Sequence, residues 1–323
     1  MTAALPAFAD VVAAAARLGS HVVRTPVVRS AAFDARVGRE VFFKCENLQT
    51  GGAFKYRGAM NVVLQLDPVK TPLVITHSSG NHGNALALAA RSRGMRAIVV
   101  IPRDSARSKM AAIEGAGARI ELCEPGLPAR ERRLSELLAL ETAELVHPFD
   151  DARIIAGQGT AALELLTEIP DVAVLATPVG GGGLIGGCAI AAKALAPGIR
   201  VIGVEPAGAD DAYQSFRSGV RRAVTAPQTI ADGLRGSIGV LNFELLRRHV
   251  DEVVTVSESQ IVDAMRVILQ DLKLLIEPSS AVPVAAALAG QLGARADRIG
   301  IVLSGGNVDL DLCPFLRGET VVG

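Results

Sequence analysis

Short apolar, β-branched runs alternate with longer Ala- and Leu-rich stretches along the chain, and this alternation constrains its fold more than any other feature. Residues 73–76, 97–101, 119–122, 172–177, 201–204 and 299–303 read as strands buried on both faces. Helical patterns of about ten residues or more lie between them. Strands joined through helices build parallel sheets with right-handed crossovers, so the expected class is α/β, with ligands at the carboxyl ends of the strands. Chemistry is therefore sought just after each strand. One helix announces its own start: Ser257 and Gln260 form a capping box, and Ile261, Val262, Met265, Ile268, Leu269 and Leu272 then trace a single stripe, which reads as core packing.

With 323 residues, 50% hydrophobic and 20% charged, the chain is long enough for two lobes and too apolar to be disordered. Residues 71–147 hold three strand-and-helix units and are expected to form a smaller inserted domain, with 1–70 and 148–323 building the larger one. Lys plus Arg and Asp plus Glu balance at 33 each, so no overall field gathers nucleic acid or an anionic membrane. Aromatics are only 3% and Trp is absent, which removes the stacking platform of a single-strand binder. Small-molecule partners are expected. The cysteines, Cys45, Cys123, Cys188 and Cys313, form no C-x-x-C pair, which argues against zinc or a disulfide scaffold and for a reducing cytosol. The first residues lack the basic start of a signal peptide, and Asp10 interrupts their apolar run. The most apolar stretch, 281–289, is shorter than the ~20 residues of a spanning helix. A soluble, cytoplasmic protein is expected.

Four loops carry candidate chemistry. After the run ending at Thr177 stand Gly180, Gly181, Gly182 and Gly183, whose unobstructed N–H groups open a helix and suit a phosphate. A tight turn alone usually needs one glycine. Gly181, Gly183 and Gly186 also satisfy G-x-G-x-x-G with Glu205 further on, a weak dinucleotide signal that glycine runs meet cheaply. Lys55 follows a glycine-led loop behind apolar Phe54, where burial would free its amine as a nucleophile; taken alone it reads as a surface lysine. His77, Ser78, Ser79, Gly80, Asn81, His82, Gly83 and Asn84 offer hydroxyl and amide groups for a carboxylate or ring oxygen, although taken singly Ser78 or Asn81 reads as a plain helix cap and His82 as a satisfied structural histidine. Ser304 opens a fourth loop, Ser-Gly-Gly-Asn, otherwise an ordinary turn.

Together these segments resemble the fold-type II pyridoxal-phosphate enzymes of the serine/threonine dehydratase and serine racemase group. The likeness spans nearly the whole chain and is most specific in AFKYRGA (53–59), SSGNHGNAL (78–86), GGGGL (180–184) and SGGN (304–307). It continues through IAGQGT (155–160), EPAGADDAYQS (205–215), IADG (230–233) and KLLIEP (273–278). The resemblance implies a two-lobed α/β fold of tryptophan synthase β type, each lobe a mostly parallel twisted sheet flanked by helices, with the cofactor on the larger domain. It implies that Lys55 forms the internal aldimine and moves the α-proton, and that Phe54 packs near the ring. Gly180, Gly181, Gly182 and Gly183 would hold the phosphate, Asn81 the phenolic oxygen and Ser304 the pyridine nitrogen. Ser78, Ser79 and His82 would line the substrate carboxylate site, with Ser79 as a second acid/base group on the opposite ring face. Arg130 takes the place of an arginine near the active-site mouth. Glu205, the Ala209 carbonyl and Asp211 would bind Mg²⁺ or Ca²⁺, ions that suit hard oxygen ligands; a solvated acidic loop is the plainer reading.

The implied activity is β-elimination of water from a β-hydroxy amino acid, L-threonine or L-serine, giving a 2-oxo acid and ammonia, by a cytoplasmic homodimer. Serine racemisation and dehydration of 3-hydroxyaspartate or phenylserine are the alternatives, and a nicotinamide oxidoreductase is the rival from another class. Ala53 and Gly236 depart from hydroxyl-bearing positions of the racemases, which makes the pocket roomier or less polar. Arg235 beside Gly236 could meet an acidic β-substituent. The chain ends soon after Cys313, so isoleucine feedback through a C-terminal regulatory domain is not expected.

Overall fold

Each apolar run expected to be a strand is one, in a computed structural model that describes residues 4–78, 80–293 and 298–310. The strands are β1 Val27–Val28, β2 Glu40–Cys45, β3 Leu73–His77, β4 Arg96–Pro102, β5 Arg119–Cys123, β6 Glu144–Leu145, β7 Val174–Pro178, β8 Arg200–Pro206, β9 Glu252–Val256 and β10 Arg298–Leu303. They form a six-stranded sheet in the order β1-β2-β10-β7-β8-β9 and a four-stranded sheet in the order β5-β4-β3-β6. Among these strands only the β1–β2 pairing is antiparallel. This is the α/β class, with parallel sheets flanked by helices.

Period-two alternation explains why both sheet faces are buried. In the larger sheet, Val41 and Phe43 of β2, Val174 and Ala176 of β7 and Ile299 and Ile301 of β10 share one core, while Phe42, Leu175 and Val302 face another. In the smaller sheet, Val74, Ala97 and Val99 face a core that also takes in Tyr56, Met60 and Val63 from the helix Lys55–Val63, so a helix that precedes the small sheet in sequence covers it.

Glycines set the closest helix contacts. A Cβ on Gly157 would press on the backbone of Arg57 and Gly58, and one on Gly159 or Gly187 would strike the other helix's backbone. Much of IAGQGT, and the glycine of AFKYRGA, is therefore packing. The capping box at Ser257 is present in both directions: its Oγ accepts from Gln260 N at 3.3 Å, and Gln260 Oε1 accepts from Ser257 N at 2.8 Å. Among the described residues no helix is long and apolar enough to cross a membrane. Cys45, Cys123 and Cys188 are buried free thiols; Cys313 lies outside the described residues.

Candidate active site

The loops that follow β3 and β10 meet the loop before the helix Lys55–Val63. Phe54 N donates to the Ser304 carbonyl at 3.0 Å, Gly306 N donates to the Gly52 carbonyl at 2.9 Å, and Ala53 bridges Gly305. Glu277 N donates to the Gly305 carbonyl at 3.1 Å. The Glu277 carboxylate accepts from Asn81 Nδ2 at 2.9 and 3.0 Å. Asn307 closes the ring, donating to Asn81 Oδ1 at 2.9 Å and to the Gly51 carbonyl at 2.8 Å. Lys55, Asn81 and Ser304, widely separated in sequence, are thus tied into one cluster.

Lys55 is partly buried, its Nζ donating to the Pro148 carbonyl at 2.8 Å and lying 5.1 Å from the centre of the Phe54 ring. Burial pulls its pKa down to about 8, with the Glu277 charge opposing the shift. The next residue along from Pro148 reaches the glycine loop: a Cβ on Gly181 would overlap the Phe149 ring. Asn242 Nδ2 ties the two together, donating to the Phe149 carbonyl at 2.9 Å and the Gly181 carbonyl at 2.7 Å.

Gly182 caps the helix Gly183–Leu195 in a left-handed conformation, φ 86°, that a side chain would strain. Among the described residues, nothing accepts from the N–H groups of Gly180, Gly181 or Gly182. Open donors at the positive end of a 13-residue helix fit a phosphate. The dinucleotide reading fares worse. Glu205 is fully buried and its oxygens accept from Ala212 N at 3.2 Å and Tyr213 N at 2.7 Å, so it is not presented to a ribose.

The side chains around β3 are less uniform. His82 is buried, its Nε2 3.4 Å from the Val146 carbonyl, and its Nδ1 has no partner. Burial, with help from the Lys55 charge, holds its pKa well below the ordinary value, so it is neutral. Ser78 Oγ accepts from Gly80 N at 3.3 Å, as a turn residue does. Ser79 lies outside the described residues. Arg130 bonds locally, Nε to the Gly126 carbonyl at 3.5 Å, and its charge reaches His77, whose pKa burial lowers to about 4. It stands at the edge of the cluster rather than in it.

Glu205 and Asp211 form a separate buried pair. Burial first, then the neighbouring Asp211 charge, raises Glu205 well above the carboxylate range, and burial raises Asp211 to about 6. Asp211 Oδ2 accepts from Ile238 N at 2.8 Å, while Oδ1 is buried without a partner. Among the described residues no cluster of three or more His, Cys, Asp or Glu could hold a metal; this set has two such side chains and a carbonyl.

Sequence reasoning assigns no role to Glu277, Phe149, His147 or Lys109. Glu277 precedes Pro278 at a helix start and looks like a plain cap, yet it is 4% exposed, and burial raises its pKa while Asn81 opposes the rise. Lys109, on the helix Arg107–Gly115, ion-pairs with Asp232, and Glu277 and Arg235 both bear on its charge.

A family model described as pyridoxal-phosphate dependent enzyme matches residues 18–305. The chain is 42% identical to a beta-hydroxyaspartate dehydratase of Paracoccus denitrificans over 312 residues, 96% of this chain and 99% of that protein. The structure of maize serine racemase superposes with a TM-score of 0.94 at 41% identity, covering 98% of this chain and 97% of that one. The serine racemase of Dictyostelium discoideum superposes with a TM-score of 0.90 at 42% identity over 95% of this chain and 100% of that one.

Proposed function

This chain belongs to the pyridoxal-phosphate-dependent enzymes, and from that premise we propose that it removes water from a β-hydroxy amino acid, L-serine or L-threonine, releasing a 2-oxo acid and ammonia. One observation carries the reading: an amine whose pKa falls to about 8 sits between a ring of amide and carboxylate groups and an open glycine loop. Pyridoxal phosphate, when bound, supplies an electron-withdrawing ring that stabilises negative charge at Cα. The N–H groups of Gly180 to Gly183 hold its phosphate. Asn81, one N–H engaged by Glu277, keeps the other for the phenolic oxygen. Ser304 would meet the ring nitrogen with a neutral hydroxyl rather than a carboxylate. Lys55 Nζ takes the α-proton, as a base whose pKa is near neutrality can. By the family resemblance Ser78, Ser79 and His82 would receive the substrate carboxylate, with Arg130 nearer the mouth.

A second reading, dehydration of 3-hydroxyaspartate, is favoured by two neighbouring cations, Lys109, which pairs with Asp232, and Arg235, whose guanidinium donates to the Thr229 carbonyl. Racemisation of serine competes with elimination at the same site. Supplying L-serine, L-threonine and L-threo-3-hydroxyaspartate separately and following pyruvate, 2-oxobutyrate, oxaloacetate and D-serine separates the three. D-serine as main product, or no 2-oxo acid from any of them, rejects elimination.

The proposal extends to a Mg²⁺ or Ca²⁺ ion on Glu205, the Ala209 carbonyl and Asp211, supported by two buried carboxylates and the unpartnered Asp211 Oδ1. It also takes residues 71–147 as an inserted small domain, supported by the separate four-stranded sheet. A cytoplasmic homodimer follows from the family resemblance, and the buried free thiols accord with a reducing compartment.

A further inference from the structure

The segment His147–Asp150 touches both Lys55 and the glycine loop, and a single atom organises it. His147 Nδ1 accepts from Asp150 N at 2.8 Å and from Phe149 N at 3.3 Å. Those bonds fix the turn in which Pro148 offers its carbonyl to Lys55 and Phe149 packs on Gly181. The same turn aims Asp150 at a helix start: its Oδ2 and Oδ1 accept from Val240 N and Leu241 N, each at 2.9 Å. An Nδ1 that accepts two N–H bonds carries no proton, so neutral His147 holds its proton on Nε2. We propose that His147 is a positioning residue, locked in the Nε2–H tautomer, that sets the Lys55 amine and the glycine loop in register for the cofactor.

The inference rests on the pyridoxal-phosphate reading and concerns only this chain's own groups. Protonating Nδ1 would turn one acceptor into a donor facing two donors, and the turn would open. The groups that face His147 are Lys55, Asp150 and Asp151, with His77 edge-on at 5.7 Å and Phe149 at 4.7 Å. The His147 charge in turn bears on His77 and His82, and Arg130 bears on His77. Burial and the Lys55 charge favour the neutral ring, and the two aspartates oppose them.

The test is equilibrium dialysis of pyridoxal phosphate against the cofactor-free full chain, with no substrate present, from about pH 5 to about pH 8. In His147→Asn the amide oxygen takes the Nδ1 position and does not titrate; in His147→Gln the amide lies too far out. His147→Asn is expected to bind within about threefold of the parent at pH 8 and to weaken less than the parent toward pH 5, the acid limb that remains being that of Lys55. His147→Gln is expected to bind about tenfold more weakly at every pH, the equivalent of one well-placed hydrogen bond. Far-UV circular dichroism verifies that both variants are folded. Parent-like binding by His147→Gln, equal losses in two folded variants, or an unchanged acid limb in His147→Asn would each overturn the proposal. A parent that takes up no pyridoxal phosphate would instead sink the cofactor reading itself.

Discussion

Lys55 is tuned by where it lies more than by what it bonds to. Its hydrogen-bond partner is neutral, the Pro148 carbonyl, so burial dominates and the folded pKa falls to about 8. Because the fold favours the uncharged amine, the reactive fraction falls as pH drops below that value. Acylation of Lys55 in the cofactor-free protein, followed by peptide mass spectrometry, should therefore titrate near 8; a midpoint near the ordinary lysine value of about 10.4 would contradict the burial argument. Glu277 acts through Asn81, whose amide it fixes with two contacts. Glu277→Gln is expected to weaken pyridoxal-phosphate binding about tenfold, while Glu277→Asp, which keeps the charge, loses less. Lys55 and Asn81 stand out in the sequence through glycine- and amide-rich surroundings. Glu277 does not, because its importance comes from contacts with residues far away in the chain.

At the scale of elements, the helix that begins with Lys55 is anchored by buried charges. Arg57, fully buried, donates from Nε to Glu46 at 2.7 Å and from Nη1 to Glu164 at 2.7 Å, and Lys44 donates to Glu164 at 2.6 Å. Burial pulls the guanidinium's pKa down, and Glu46 and Glu164 more than offset that. Arg57→Leu strands Glu46 and leaves Glu164 to Lys44 alone, and urea unfolding should report a loss of about 3–5 kcal/mol; a loss below about 1 kcal/mol would show that the network carries little. The same network hides β2 from sequence reading. Lys44 interrupts the apolar pattern, yet it is buried because Glu164 and the Thr25 carbonyl satisfy it. The two-residue strands β1 and β6 exist only through their pairing partners. The loop after β8 offers a further test: Mg²⁺ should raise the melting temperature of the wild type and leave Asp211→Ala unmoved, and an equal rise in both would remove the ion from that loop.

For the whole molecule, the alternation of runs discloses the α/β class, while the order of strands is hidden because β2 and β10 pair across some of the longest separation in the chain. What brings the two sheets' loops together is the resemblance read in the sequence and the ring from Asn81 through Glu277 to Gly305 seen in the structure. The ion pair of Lys109 with Asp232 adds a second tie between the loops of the two sheets. If acidic substrates use that corner, Lys109→Met should lower kcat/KM for 3-hydroxyaspartate about tenfold and for L-serine much less; equal losses would assign Lys109 to holding the loops together instead. The central proposal is that Lys55 carries β-elimination on bound pyridoxal phosphate. The deciding experiment is the near-visible absorption spectrum of the purified protein and of Lys55→Ala, recorded before and after each β-hydroxy amino acid while 2-oxo acid is assayed. A cofactor band that one amino acid perturbs, with its 2-oxo acid accumulating, and that is altered and catalytically silent in Lys55→Ala, is the expected outcome. Undiminished 2-oxo acid formation by Lys55→Ala would overturn the assignment.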